Sequence, residues 1–451
     1  MGNLKYRPEQ FLYYDGEGIA RHLEKMAAKG WRLEKIGALA WRYGRAEPAA
    51  VHYAVTYFPE ASEYNPYPTD SQEEFYDYCR EAGWDLVTEW DRMQIFSAAR
   101  ENPVPIETDE AARVRVIHRV MLRSYMPSNL LLLLLAVFQL FFQIRSILRD
   151  PVGELSQWTP LLLVLAWLLI GLSALLTIGG YLSWYLRARR AAETGGRLEG
   201  TERWFRWLTA AVCGSGLAAI VPALLSLFLS GAVRVFLLCF TGLVIIMAVT
   251  AGMKNGMKRR GVPGRKNRNI TVAVTAALSL LFAVTVPVAV IHYIVRSGGT
   301  AERQTDGRDR MPLVLEDLGT PASEEFIYTW ESRSSPLVSY GAAQQRGEPG
   351  SRLPMLEYEV SDVYLPALFD LCLDGYLDRY DNEYGRLTGG HFRPLNDPAW
   401  NAEVWQVWDD EGPWPYYLAC RGSRIVWLMA DDFLTPEQTK TASEKLFGGT
   451  I

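Results

Sequence analysis

Residues 130–144 read Leu-Leu-Leu-Leu-Leu-Leu-Ala-Val-Phe-Gln-Leu-Phe-Phe-Gln-Ile, an apolar run without a charged side chain. With the residues just before it and the turn after it, the run is long enough to cross a bilayer, which takes about 20 residues of helix. Four further apolar stretches follow before residue 296. We therefore predict a multi-pass α-helical membrane protein with about five transmembrane helices. The predicted spans lie near 129–147, 160–186, 207–229, 235–253 and 270–295 within a transmembrane region, 126–296.

The bulk composition hides this pattern. Charged residues make up 22% of the chain, the net charge is −5 and the mean hydropathy is −0.03, values that suit a soluble protein. The alternative is a large buried helical core in a water-soluble protein. Five such stretches in series exceed what a globular core requires, so we favour membrane spans.

The orientation follows from the cations that flank the spans, because cytoplasmic loops are enriched in Lys and Arg. Cations cluster before the first span, between the second and third, and between the fourth and fifth, whereas the alternate loops hold few. We predict a multi-pass protein of the plasma membrane with a cytoplasmic N-terminus. An odd number of spans then makes the C-terminus extracellular, and a miscounted or re-entrant span would reverse that.

The N-terminal region, residues 1–125, contains an internal repeat. A helix-like segment, a glycine and a Trp-x-Leu strand start occur twice, with Gly30-Trp31 in the first copy and Gly83-Trp84 in the second. We predict two α–β units packed on one antiparallel sheet, a ferredoxin-like α/β module. The four residues are candidates for a structural or interaction role, and core packing of the two tryptophans is the favoured reading.

Several segments of this module resemble one known family. They are Tyr14-Asp15, Met26-Ala27-Ala28-Lys29-Gly30-Trp31-Arg32-Leu33, Tyr53-Ala54-Val55-Thr56-Tyr57, Ala82-Gly83-Trp84 and Trp90. Together they resemble the DUF2812 family of uncharacterised bacterial membrane proteins over residues 5–125. Residues 312–319, after the last predicted span, are also similar to that family. The resemblance implies a bacterial, Gram-positive membrane protein. It also implies a gene that accompanies a PadR-like transcription regulator, and it brings no catalytic residues.

A linker, 297–310, leads to an extracytoplasmic α+β domain at 311–451 that carries more acids than bases. Its two cysteines, Cys372 and Cys420, are candidate structural residues. They could form a disulfide on the oxidising side of the membrane, or remain buried thiols. Acidic clusters such as Asp409-Asp410-Glu411 are read as a solvated face rather than a Ca²⁺ site, because none has EF-hand spacing.

The function class is predicted from what the spans and domains contain. The spans carry essentially no charged residues, which disfavours an ion or proton pathway. We therefore expect a signalling or accessory protein that links an external domain to a cytoplasmic module, with a transporter or transporter subunit as the alternative. We expect no enzyme activity, catalytic residue, cofactor or metal. The expected partners are the lipid bilayer, a PadR-like regulator or another membrane protein, and no nucleic acid.

Overall fold

The computed structural model describes residues 3–37, 40–100, 103–196, 202–229, 233–296, 307–348, 351–379 and 390–448. Most of the predicted linker, 297–306, lies outside the described residues. The chain divides into two compact units, neither of which is continuous in sequence. The first comprises Met1–Phe138, Ala166–Val221 and Ala232–Tyr293, and the second comprises Gln139–Leu165, Pro222–Gly231 and Ile294–Ile451.

The N-terminal module of the first unit is a repeated strand–helix–strand–strand motif. Equivalent residues are 53 positions apart: Leu33 is paired with Tyr43, and Leu86 with Phe96. Each pair is followed by a shift in strand register at the same place. The first copy consists of β1 (Leu4–Arg7), α1 (Gly16–Ala28), β2 (Trp31–Lys35) and β3 (Trp41–Arg45), and the second of β4 (His52–Tyr57), α2 (Asp70–Glu81), β5 (Asp85–Trp90) and β6 (Met93–Ala98).

The prediction of one shared sheet is wrong for the described strands. They form two three-stranded antiparallel sheets with the orders β1-β3-β2 and β4-β6-β5. The reason lies in β1 and β4, which each pair with the last strand of their own copy. That strand is then hydrogen-bonded on both sides, so each copy closes its own sheet and the ferredoxin-like order cannot form.

Helix α1 provides the core of the module. Its buried side chains Ile19, Leu23 and Met26 belong to one cluster with Tyr43 of the first sheet and Val55 of the second. These residues recur at helical spacing, which places them on one face of α1. The other face of the second sheet is covered by α2, whose Cys79 is buried with Trp84 and Phe96.

Long helices follow the module. Helix α3 (Glu110–Val120) continues through a π-helical turn, Met121–Tyr125, into α4 (Met126–Arg149), and then come α5 (Pro151–Leu155), α6 (Trp158–Glu193), α7 (Glu202–Leu229), α8 (Val233–Arg259) and α9 (Gly264–Arg296). Among the described residues, four helices are long and apolar enough to cross a membrane. They are Glu110–Arg149, Trp158–Glu193, Trp204–Ser226 and Phe240–Arg259. The predicted fifth span coincides with α9, many of whose side chains beyond residue 282 are outside the described set.

Small residues lie where the long helices of the first unit meet. A Cβ on Gly180 of α6 would come within 2.3 Å of the Leu208 side chain of α7, and one on Gly242 of α8 within 2.2 Å of Phe282 of α9. The hydroxyl of Ser173 donates to the carbonyl of Val212 at 3.2 Å. Close approach of small residues and inter-helix hydrogen bonds are typical of packing in lipid, where the hydrophobic effect between helices is weak.

The C-terminal domain of the second unit is built on one antiparallel sheet with helices on both faces. Its elements are β7 (Phe326–Ser334), β8 (Val338–Gly347), β9 (Leu356–Val363), α10 (Phe369–Arg379), β10 (His391–Leu395), β11 (Glu403–Trp408), β12 (Pro413–Arg421), β13 (Arg424–Ala430) and α11 (Pro436–Gly448). The strand order is β10-β11-β12-β13-β9-β8-β7. One face of the sheet packs against α11 through Ala442 and Leu446, and the other against α10 through Cys372 and Tyr376.

Candidate functional site at the junction of the module and the long helices

Tyr14 lies where the module meets α6 and α7, a region we call the junction. Its ring centroid is 5.3 Å from that of Tyr181, 5.1 Å from Trp184 and 5.6 Å from Phe205. Only 2% of Tyr14 is exposed, and this burial raises the pKa of its hydroxyl. Tyr14 of the module therefore packs among aromatic side chains of two long apolar helices, α6 and α7.

The residue after Tyr14 starts α1. The carboxylate of Asp15 accepts a hydrogen bond from the backbone N–H of Gly18 at 2.9 Å, which satisfies one of the free donors of the first helical turn. Asp15 and Gly16 line the same water-sized cavity as Tyr14, with a volume of about 30 Å³. The junction thus fixes where α1 begins.

Arg113 joins α3 to α1. Its guanidinium lies 3.3 Å from Glu17 of α1, 3.2 Å from Glu110 and 3.6 Å from Glu107, while only 14% of its side chain is exposed. A largely buried charge is costly unless it is paired, and removing its partners is strongly destabilising. The network therefore holds the start of the α3–α4 helix against the module.

His118 joins α3 to α6. Its Nδ1 is 2.7 Å from the hydroxyl of Tyr181, and its ring stacks on Tyr185 with centroids 4.0 Å apart. Tyr181 is fully buried. Arg113 and His118 lie five residues apart on α3, so one short helix contacts both the module and α6.

The π-helical turn between α3 and α4 is also attached to the module. Ser124 donates a hydrogen bond to the carboxylate of Asp91 at 2.5 Å. Asp91 has a backbone φ of +52°, a left-handed conformation that is uncommon outside glycine. Single π-helical turns occur often at functional sites, and this one coincides with the change from a polar to an apolar helix.

The hairpin between α8 and α9 makes a second attachment. The buried amide of Asn267 donates to the backbone carbonyls of Tyr64, at 3.1 Å, and Lys254, at 3.2 Å. Its oxygen accepts from the hydroxyl of Thr271 at 3.2 Å. Lys254 in addition pairs with Glu63 at 2.9 Å. One side chain thus holds two helices and a module loop together.

The glycine–tryptophan pairs lie elsewhere, at matching positions of the two repeats. Gly30 and Gly83 have φ values of +78° and +88°, as expected of helix C-caps. Trp84 is buried, and its indole donates to the carbonyl of Val104 at 2.7 Å. Trp31 is only half-buried, with Lys5 and Arg45 each 5.1 Å from its ring centroid. The two tryptophans therefore differ in environment: Trp84 is buried within a core cluster, whereas Trp31 is partly exposed and packs against the edge of another.

Cys372 and Cys420 are free thiols buried in one cluster of the C-terminal domain. Burial raises the pKa of each to about 11, with nearby Asp150 and Glu403 adding to the respective shifts. Asp409, the first residue of the Asp409-Asp410-Glu411 cluster, has a structural partner: its carboxylate accepts a hydrogen bond from the Trp414 indole at 2.7 Å.

The junction residues were not singled out from the sequence. Tyr14 belongs to a segment that carries the family resemblance, and Arg113 is one of the cations that precede the first predicted span. A usable signal was present: an aromatic pair, Tyr13-Tyr14, directly before a helix-capping Asp, and aromatic residues at helical spacing near the end of the second span, Tyr181, Trp184 and Tyr185. Their mutual contact depends on tertiary packing.

Comparison with known proteins bears on the module alone. A family model described as "Protein of unknown function (DUF2812)" matches residues 15–129, which confirms the resemblance drawn from the sequence. Neither the curated proteins nor the solved structures contain a match to this chain.

Proposed function

We propose, on the premise that the N-terminal module belongs to the DUF2812 family of proteins of unknown function, that this chain is a signalling or accessory protein of a bacterial plasma membrane. It would connect an extracellular domain to the cytoplasmic module. The observation that carries the proposal is that α3, part of the module's core, continues without a break into the first candidate span.

The second unit supports the same role. Helix α5 follows α4 after Asp150, and its Val152 and Leu155 are buried with Cys372 and Tyr376 of the C-terminal domain. The hydroxyl of Ser335 donates to the carbonyl of Leu155 at 2.5 Å. A change in this domain would therefore act on the end of α4, and a change in the module on its beginning.

We further propose five spans, with the N-terminus cytoplasmic and the C-terminus extracellular. Because α5 packs with α10, we place the α4–α6 turn and the C-terminal domain on one side of the bilayer. The chain between them must then cross an even number of times. Helices α6, α7 and α8 make three crossings, so α9 has to be the fourth. The flanking cations assign the cytoplasmic side.

Cysteine accessibility tests this topology. The native Cys79 and Cys372 are both fully buried and unsuitable as reporters. We would instead introduce Tyr78→Cys in the module, Gln157→Cys after α5 and Phe433→Cys in the C-terminal domain, all at exposed positions. In intact cells, a membrane-impermeant thiol reagent should label positions 157 and 433 and spare 78 until the cells are permeabilised. Labelling of 157 and 433 from different sides would refute the five-span proposal.

The signalling role is tested through the junction. Tyr14→Ala removes the ring that contacts Tyr181, Trp184 and Phe205, and Tyr78→Ala is a control at an exposed tyrosine. We expect gene deletion and Tyr14→Ala to alter the same transcripts, including targets of a PadR-like regulator, at unchanged protein level. If only solute accumulation changes on deletion, the transporter alternative is the correct one. We propose no enzyme activity for this chain.

A further inference from the structure

The α8–α9 hairpin concentrates positive charge. Between residues 254 and 268 it carries seven cations and no acid: Lys254, Lys258, Arg259, Arg260, Arg265, Lys266 and Arg268. Lys254 pairs with Glu63. The other six form no ion pair within the part of the chain that the structure describes. Such a density of uncompensated charge costs self-repulsion unless an anion is near.

A cleft of about 240 Å³ opens between this hairpin and the module. Lys254 and Lys258 line it from α8, one helical turn apart, and Lys35 lines it from the end of β2. The exposed rings of Tyr67 and Trp90 are also at its rim. The site is therefore assembled from two parts of the chain that Asn267 holds together.

Two of the three carboxylates that line the cleft are in ion pairs. Glu63 pairs with Lys254, and Asp91 lies 3.6 Å from the guanidinium of Arg92. Glu89 accepts a hydrogen bond from the neutral hydroxyl of Tyr76 at 3.1 Å, which does not compensate its charge. The ammonium groups of Lys35 and Lys258 have no ion pair among the described residues, so they outnumber the remaining carboxylate and leave the cleft with a net positive charge.

The position of the cleft along α8 indicates the source of the anion. This step rests on the proposed crossing of the bilayer by α8. The apolar part of the helix ends at Met253, and Lys254 and Lys258 follow within the next turn and a half. They therefore lie at the level of the lipid headgroups, where amphipathic rings such as Trp90 and Tyr67 are also favoured.

We propose that this cleft binds the headgroup of one acidic phospholipid, with its phosphate between Lys35 and Lys258. Because those residues belong to the module and to α8, the bound lipid would reinforce their attachment. Membrane composition would then regulate how firmly the module is held against the hairpin. The proposal deepens the signalling function by naming a ligand for its cytoplasmic side.

The test uses the full-length protein in phosphatidylcholine nanodiscs that contain a minority of phosphatidylglycerol. Native mass spectrometry counts the lipids retained after a wash at about 0.5 M salt, which screens exposed charges beyond a few ångströms. The cleft variant is Lys35→Gln/Lys258→Gln. The matched control, Arg265→Gln/Lys266→Gln, removes two charges from the same hairpin outside the cleft lining.

Wild type and control should each retain one phosphatidylglycerol. The cleft variant should bind it roughly 25-fold more weakly, since each of the two lysines contributes about fivefold near an anionic surface. Equal retention in all three proteins, or equal loss in both variants, would overturn the proposal. Displacement of the lipid by inorganic phosphate, which then stays bound, would identify a free-phosphate site instead. The cysteine-accessibility experiment tests the topology independently. If it gives the expected labelling and the lipid experiment fails, only this inference is contradicted.

Discussion

The two glycines that end α1 and α2 differ in what surrounds them. A Cβ on Gly30 would meet the backbone carbonyl of Ala46 at 2.8 Å, whereas one on Gly83 would meet the flexible side chain of Arg100 at 3.0 Å. Both have positive φ, which costs an L-residue about 1–2 kcal/mol. We expect Gly83→Ala to lose about that amount in free energy of unfolding and Gly30→Ala to lose more, as measured by chemical denaturation in detergent.

The order of the two effects is the informative outcome. Ala46 also donates its N–H to the carbonyl of Gly30 at 3.0 Å, so the backbone there cannot shift without losing a hydrogen bond. A larger loss for Gly83→Ala than for Gly30→Ala would show that the side chain of Arg100 is less adaptable than argued.

The thiol of Cys372 should be chemically silent in the folded protein. It is fully buried, and its pKa is raised to about 11, so thiolate is scarce at pH 8. The thiol form is the one that folding stabilises, so its contribution is intact below pH 9 and declines as the pH rises toward 11. We expect labelling by iodoacetamide to be slow at pH 8 and to become complete after denaturation.

The introduced cysteine of Phe433→Cys serves as the reference for that experiment, because residue 433 is 54% exposed. It should react rapidly at pH 8 under native conditions. If Cys372 reacts at a comparable rate without denaturant, the helix α10 that carries it opens readily, and the buried cluster around it is less stable than its packing indicates.

At the scale of elements, Asn267 is the side chain on which the attachment of the α8–α9 hairpin depends. Asn267→Ala removes the donors to the carbonyls of Tyr64 and Lys254, and a buried acceptor left without a partner costs about 1–3 kcal/mol. We expect the module loop around residue 64 to be cleaved several-fold faster in limited proteolysis of the full-length protein. Asn255→Ala, an exposed asparagine on the same hairpin, should leave the cleavage rate unchanged, and equal acceleration would contradict the argument.

Helices were more predictable than sheets. Each of the five predicted spans lies within an observed helix, because about 20 apolar residues admit few other structures. The helices are longer than the spans and extend beyond them by up to seven residues. The start of α11 has an equally local cause: Thr435 accepts from the N–H of Gln438 at 3.4 Å, with Pro436 at the first helical position. Local chemistry decides these features.

Strand partners are not local, and here the sequence was a poor guide. The strand β8 has no regular alternation of apolar and polar residues, and β1 is only 4 residues long. Helix α10 begins only at Phe369, although the apolar residues before it suit a helix, because Val363 still pairs with Val338 in the sheet. Pro366 also disfavours a helical conformation at the preceding residue. The division of the module into two sheets does not follow from the sequence, because it depends on which strands pair with β3 and with β6.

At the scale of the whole molecule, the domains are not the contiguous segments that a linear reading suggests. The second unit takes in the turn between α4 and α6, whose short helix α5 supplies Val152 and Leu155 to the core of the C-terminal domain. Asp150, which caps α5, lies 3.6 Å from Arg379 of α10. The core of the domain therefore includes α5 and is incomplete without it.

This dependence predicts how the C-terminal domain behaves alone. Residues 307–451 lack α5, so Val338, Cys372 and Tyr376 would be exposed to water, and Ser335 would lose its acceptor on Leu155. Burial of a Val or Leu side chain contributes about 1.5–3 kcal/mol, so about 3–6 kcal/mol of stability should be missing. Thermal unfolding should show a lower transition temperature, with binding of a hydrophobic dye already in the native state.

Fusion of residues 146–157 to the domain through a flexible linker should restore much of that stability, because α5 carries its own cap at Asp150 and a hydrogen bond between Ser146 and Glu154 at 2.5 Å. The same fusion with Val152→Asp and Leu155→Asp should not. The contrast separates burial of α5 from a general effect of a longer chain. If the isolated domain is as stable as the fusion, then α5 only lies against a finished core, and the physical connection from the domain to the first span that the signalling proposal needs is lost.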